Sequence, residues 1–213
     1  MLHNAGYDPV VKPASIIETL PFDMKPETAT MYLAMTKAFA VADEIIPVSE
    51  DGVTVRDPVR FSVNRDWPPA GEDIIIIGAD TVVVHDGHII SKPKDENDAY
   101  RILSALRGTS HHVVTGCCVC TISYYGQMKL QNAGQYELTD GVRSARCFFE
   151  DTEVFFKSYS NEELRAYVST KEPYDKAGGY AIQGSFGKYI DRIEGDFDNV
   201  VGLPLTHLKQ YID

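Results

Sequence analysis

Four consecutive isoleucines, Ile74 to Ile77, run into Gly78-Ala79-Asp80 and constrain this chain more than any other feature. Branching at Cβ restricts side-chain rotation in a helix and suits a pleated sheet. Apolar on both faces, such a run has to be covered on both sides, which predicts a buried central strand of the parallel kind. It is strand-sized, far from the roughly 20 apolar residues that span a bilayer. The opening Met1-Leu2-His3-Asn4 carries no basic segment leading into an apolar stretch, so no secretory signal is read there. The expected compartment is the cytoplasm.

Elements on either side follow from periodicity and punctuation. Tyr7 to Ser15 reads as an extended strand, and Pro26 to Ile46 as a long amphipathic helix with Met31, Leu33, Ala34, Ala38 and Val41 near helical spacing. Residues 47–73, broken by prolines and glycines, read as a surface excursion. Asp86-Gly87 marks a hairpin. Asp95 caps a helix to Arg107, with Gly108 beyond its end. His111 to Tyr125 and Val142 to Phe156 are long β-type segments. Ser160-Asn161-Glu162-Glu163 is a capping box, and Pro204 suits the first turn of a final helix to Tyr211. Strands alternating with helices predict an α/β fold with a mixed sheet, in a single domain over 1–213.

The chain's net charge of −11, with no basic stripe, disfavours nucleic acid and anionic membrane as partners. A small anionic substrate remains possible, given a metal ion or a few placed lysines. Cys117, Cys118, Cys120 and Cys147 lack zinc-site spacing and read as buried thiols. The histidines show no ligand spacing, and no nucleophile motif such as G-x-S-x-G is present, so covalent catalysis is not expected.

Three clusters carry chemistry. In the first, IIIIGADTVVVHDGHIISKPK, Asp80 lies just past a strand end. It suits either a hard divalent cation or a turn that satisfies local amides, and the residues leave both readings open. A two-residue Asp86-Gly87 loop would set Thr81 opposite Lys92. A three-residue loop with Gly87 in a bulge would set Asp80 opposite Lys92, and this second register is the expected one. In the second cluster, EPYDKAGGYAIQGSFGK, glycines including Gly179 admit close approach of a ligand to backbone amides. Lys176 adds a cation, and Gln183 offers a donor and an acceptor for a nucleobase edge. In the third, EGDFDNVVGLPL, Asp196 and Asp198 suit capping or turn roles. Glu18, beside Ile16-Ile17, is either a second metal carboxylate or a plain exposed acid.

Taken in order, GADTVV, DGHIISKP, HVVTG, EPYDKAGGYAIQG and GDFDNVVGLPL resemble the Maf family of nucleotide pyrophosphatases, over most of the chain from Ile74 onward. The resemblance implies an α/β fold of two lobes around a central cleft, usually dimeric. The implied activity is hydrolysis of a nucleoside triphosphate to monophosphate and pyrophosphate, aided by Mg²⁺ or Mn²⁺. It casts Asp80 and Glu18 as metal carboxylates, with Asp80 also able to activate water. Lys92 becomes a phosphate lysine, and Lys37 the lysine of the long helix. Thr81, Lys176, Gly179 and Gln183 fall on the substrate side, with AIQG resembling members that prefer dTTP and UTP. The family's opening strand and S-x-S-P-R-R segment have no counterpart here, since Met1 to Gly6 matches the end of the helix that follows them. The alternative expectation is therefore a catalytically impaired nucleotide-binding or regulatory protein of the same fold; a pyrophosphatase for deaminated purines such as ITP is a third.

Overall fold

Small side chains decide how the long helix sits. A computed structural model describes residues 1–45, 73–124, 129–131, 135–137 and 141–213. In it, helix α1 (Pro26–Ile45) turns Thr30, Ala34, Ala38 and Ala42 inward, one residue every helical turn. This small-residue stripe lies against strands β1 (Ile74–His85) and β3 (Ser110–Tyr124). Two glycines face it. A Cβ on Gly78 would stand 2.1 Å from the Ala34 carbonyl oxygen, and one on Gly116 would stand 2.3 Å from the Met31 nitrogen. Helix and sheet backbones therefore touch, and α1 is held closer than larger side chains would allow. The helix is the expected one. Its buried face belongs to the alanines, while Met31, Leu33 and Val41 are only partly covered.

The sheet has the order β2-β1-β3-β6-β7, with β2 at His88–Ile90, β6 at Gly141–Phe156 and β7 at Ile190–Glu194. Every pairing in it is antiparallel. The α/β architecture stands, as a mixture of helices with strands rather than of strand directions. The parallel reading of Ile74 to Ile77 is thus corrected: both faces are partly covered, yet the neighbour β3 runs the opposite way. Two short strands, β4 (Lys129–Gln131) and β5 (Gln135–Glu137), form a separate hairpin. The excursion expected over 47–73 lies, Asp73 apart, outside the described residues. Tyr7 to Ser15 joins no strand ladder, and Pro9 and Pro13 within it have no N–H to donate to one.

Opposite α1, the sheet carries α2 (Glu96–Leu106) and α3 (Asn161–Val168), packed on Val83, Val113 and Val154. Both helices start as expected. Asp95 accepts from the Asp98 N–H, and Ser160 and Glu163 form the reciprocal capping box. An aromatic cluster of Phe156, Tyr159, Phe186 and Tyr189, with ring centroids 4.8 to 6.2 Å apart, anchors the glycine-rich segment to this core. Further along the same face, α5 (Leu205–Ile212) packs Leu208 on Cys117, Val119 and Phe148. The short helix α4 (Phe197–Val201) precedes it. Cys117, Cys118 and Cys120 are buried as expected, whereas Cys147, opposite Cys118 on β6, is exposed. Among the described residues no helix is long and apolar enough to cross a membrane.

Candidate active site

The seat of α1 on the sheet places Lys37 over β1. Gly78 and Asp80 point to the same face, two residues apart on the strand, so the contact at Gly78 brings the next turn of α1 above Asp80. The Lys37 Nζ donates to Asp80 Oδ1 at 2.6 Å and lies 2.8 Å from Glu18 Oε1. Glu18 comes from the extended segment before α1, and its side chain is half exposed, against 11% for Asp80. Burial raises the proton affinity of Asp80 above that of an ordinary carboxylate, against the pull of the Lys37 and Lys92 ammoniums. Glu18 moves the other way, lowered chiefly by its hydrogen bond to Lys37. For Lys37, burial disfavours the charge, but the bonds to Asp80 and Glu18 outweigh it and the net shift is upward. The three therefore form a carboxylate–ammonium–carboxylate bridge.

This bridge opens into a cleft of about 650 Å³. The hairpin explains why the cleft is there. Its loop is the two-residue one, with His85 opposite His88 and both Asp86 (φ 50°) and Gly87 (φ 75°) left-handed. The expected three-residue loop is corrected: Asp and Gly together suit the two left-handed positions of a type I′ turn, whose twist matches the strands. Pairing of β2 ends at Val83 with Ile90. Beyond it, residues 79–82 have no strand partner on that edge among the described residues. Ser91 to Pro93 leaves the sheet there, and Lys92 lines the same cleft as Asp80 without being held by the ladder.

The far wall is the glycine-rich segment, folded as successive 3₁₀ turns over Glu172–Asp175, Ala177–Gly179 and Ser185–Tyr189. It brings Lys176, Tyr180 and Gln183 to the cleft, with Gln183 exposed at the mouth. Lys176 pairs with Asp175. Gly179 is not brought to the cleft; it lies underneath, where a Cβ would stand 3.0 Å from Pro93 Cγ. Thr81 lines the cleft, but its hydroxyl is engaged with Thr115 at 2.9 Å. Glu172 ties the segment down, accepting from the Ser185 N–H at 3.0 Å and the Ser185 hydroxyl at 2.8 Å.

Sequence reasoning missed Asn199, which is fully buried. Its Nδ2 donates to the Val113 carbonyl and to Thr152 Oγ1, both at 2.9 Å, while its backbone carbonyl accepts from the Thr115 hydroxyl. Those bonds fasten α4 across β3 and β6 and set Val200 to Gly202 along the cleft. Asp196 caps α4 through the Asp198 N–H, a role expected for at least one of those two aspartates. Tyr180 was also missed; its hydroxyl is 2.6 Å from Nε2 of the buried His111.

Among the described residues no three His, Cys, Asp or Glu side chains gather as a metal cluster. The donor set is two carboxylates aimed at one cation. That suits a hard ion such as Mg²⁺, which keeps several waters and takes further ligands from a substrate's phosphates.

A cleft at a strand edge, with paired carboxylates on one wall and lysines on both, defines an α/β protein built to receive a small polyanion. The chain belongs to the Maf family: the model for Maf-like proteins matches residues 1–213. It is 36% identical over 210 residues, covering 99% of this chain and 88% of the relative, to a dTTP/UTP pyrophosphatase of Agathobacter rectalis. A dTTP/UTP pyrophosphatase of Desulfitobacterium hafniense is 34% identical over 99% of this chain and 77% of its own length. One from Dictyoglomus turgidum is 46% identical over 65% of this chain and 63% of its own length.

Proposed function

We propose that this protein hydrolyses the α–β phosphoanhydride of a pyrimidine nucleoside triphosphate of the dTTP/UTP type, giving a monophosphate and pyrophosphate. The observation that carries this reading is the convergence of Asp80, Glu18 and Lys37 on one wall of a cleft whose other margins supply Lys92 and Lys176. The family and the relatives' activity support it.

In this reading Lys92 and Lys176 bind the triphosphate and neutralise the charge that develops on the departing pyrophosphate. Asp80, on the cleft wall, holds the attacking water and takes its proton. Gln183 bonds the edge of the base at the cleft mouth. Thr81, through Thr115, fixes the strand edge against which the nucleotide lies. Asp80 and Glu18 would hold Mg²⁺ or Mn²⁺, which would shield phosphate charge and acidify a bound water. We assign the protein to the cytoplasm, where its substrates are, and to a homodimer, which light scattering on the purified protein tests.

The decisive experiment is pyrophosphate release against a panel of triphosphates with Mg²⁺, including dTTP, UTP and ITP. Release with dTTP and UTP, abolished in Asp80→Asn with the fold intact, is the expected result. Wild-type rates in that variant would overturn the assignment of Asp80. Nucleotide-induced thermal stabilisation without any release would make the protein a nucleotide-binding one.

A further inference from the structure

We propose that Lys37 is an exchangeable counter-ion: its ammonium occupies the place between Asp80 and Glu18 that a divalent cation would take, so the cation loads together with the nucleotide. The inference rests on the functional reading above and adds to it a rule for assembling the site.

The geometry makes the two occupants competitors. Nζ of Lys37 is 2.6 Å from Asp80 Oδ1 and 2.8 Å from Glu18 Oε1. A Mg²⁺ ion, binding oxygen at about 2.0–2.1 Å, would need the same carboxylates that hold the ammonium, and its charge would repel the ammonium at that range. Withdrawing the helix to make room would unpack its buried alanine stripe from the sheet at Gly78 and Gly116. Turning the lysine side chain about its own torsions disturbs less packing. That side chain is 23% exposed and belongs to the cleft lining, so a change of rotamer carries its charge into the cleft.

Without a ligand, an expelled ammonium loses both carboxylates and enters a cleft that already holds Lys92 and Lys176, where the lining carboxylate Asp175 is paired with Lys176. A triphosphate reverses this, offering oxygens to the displaced Lys37 and further ligands to the metal. Each therefore strengthens the other's binding, and the coupling is reciprocal. A protein whose two carboxylates were empty would take up metal unaided. This one is already partly neutralised from within.

The test is Mn²⁺ binding followed by electron paramagnetic resonance, with and without the α,β-imido analogue of UTP. Wild type should bind Mn²⁺ weakly alone and at least about tenfold more tightly with the analogue. Lys37→Met, which keeps the stem and removes the charge, should bind Mn²⁺ without nucleotide at least about tenfold more tightly than wild type, and gain less from the analogue. Lys37→Arg should retain the wild-type pattern, and Lys37→Gln replaces the Met variant if that one does not fold. Mn²⁺ affinity in Lys37→Met or Lys37→Gln no tighter than in wild type overturns the exchange. No Mn²⁺ binding by any variant, analogue present, overturns the metal site itself and the exchange with it.

Discussion

Gly78 and Ala34 meet backbone to backbone: a Cβ on the glycine would stand 2.1 Å from the Ala34 carbonyl oxygen. The position of Lys37 over Asp80 depends on that contact. Gly78→Ala should push α1 off the sheet, costing about 1–3 kcal/mol as overpacked cores do. Turnover should fall by more than the lost stability explains. Thermal denaturation and kcat on the same preparation measure both.

Glu172 holds the far wall through both hydrogen bonds to Ser185. Removing it leaves an amide and a hydroxyl without their acceptor, and the segment bearing Gln183 loosens. Glu172→Ala should raise KM several-fold with a smaller change in kcat, because the opposite wall bearing Asp80 is untouched. Steady-state kinetics with UTP decide it; an unchanged KM would show that the tether does not position the base.

His111 is 1% exposed, and burial pushes its imidazole from the ordinary 6.5 down to about 3. A depressed pKa means the unfolded chain binds a proton that the folded chain refuses. Stability should therefore be full above about pH 6.5 and decline as pH falls towards about 3. The decline from this group is on the order of 5 kcal/mol at most. In His111→Gln it should be shallower, as denaturant melts at several pH values would show.

Of the chain's four cysteines, three are buried and Cys147 is exposed. Burial raises Cys117 to about 12 and moves Cys118 upward as well, so these thiols stay protonated and unreactive. A disulfide reagent should titrate one thiol in the native protein and four after denaturation. Fast reaction of a second native thiol would show that one face of the sheet opens, the α1 face if it is Cys118 or Cys120 and the α5 face if it is Cys117.

Asn199→Leu should be among the most destabilising single changes, at about 2–4 kcal/mol, because Thr152 and the Val113 carbonyl lose a buried donor. Calorimetry of the variant measures the loss.

The parts of this fold legible in the sequence are those with local causes. Asp95 and the Ser160–Glu163 box announce their helices because the capping groups lie within one turn of each other. Strand direction is different. An isoleucine run looks the same beside a parallel or an antiparallel neighbour, and only the partner decides. The buried face of α1 was hidden because alanines carry little hydrophobic signal, yet their smallness is what the contact with Gly78 and Gly116 requires. Within the site, Asp80, Lys92, Lys176 and Gln183 stood out by residue type and by the glycines around them. The pairing of Lys37 with Glu18 joins residues far from any motif, and the burial of Asn199 arises only when α4 docks across two strands. Neither could be read without the fold.

The brevity of β2 has a consequence beyond ligand access. A bare strand margin is normally an invitation for another chain to add itself and start an aggregate. Here the stretch of β1 that has no strand partner among the described residues is flanked by Asp80, Lys37 and Lys92, and an incoming strand would have to strip those charges of water before it could pair. What admits a solvated anion thus turns away a polypeptide.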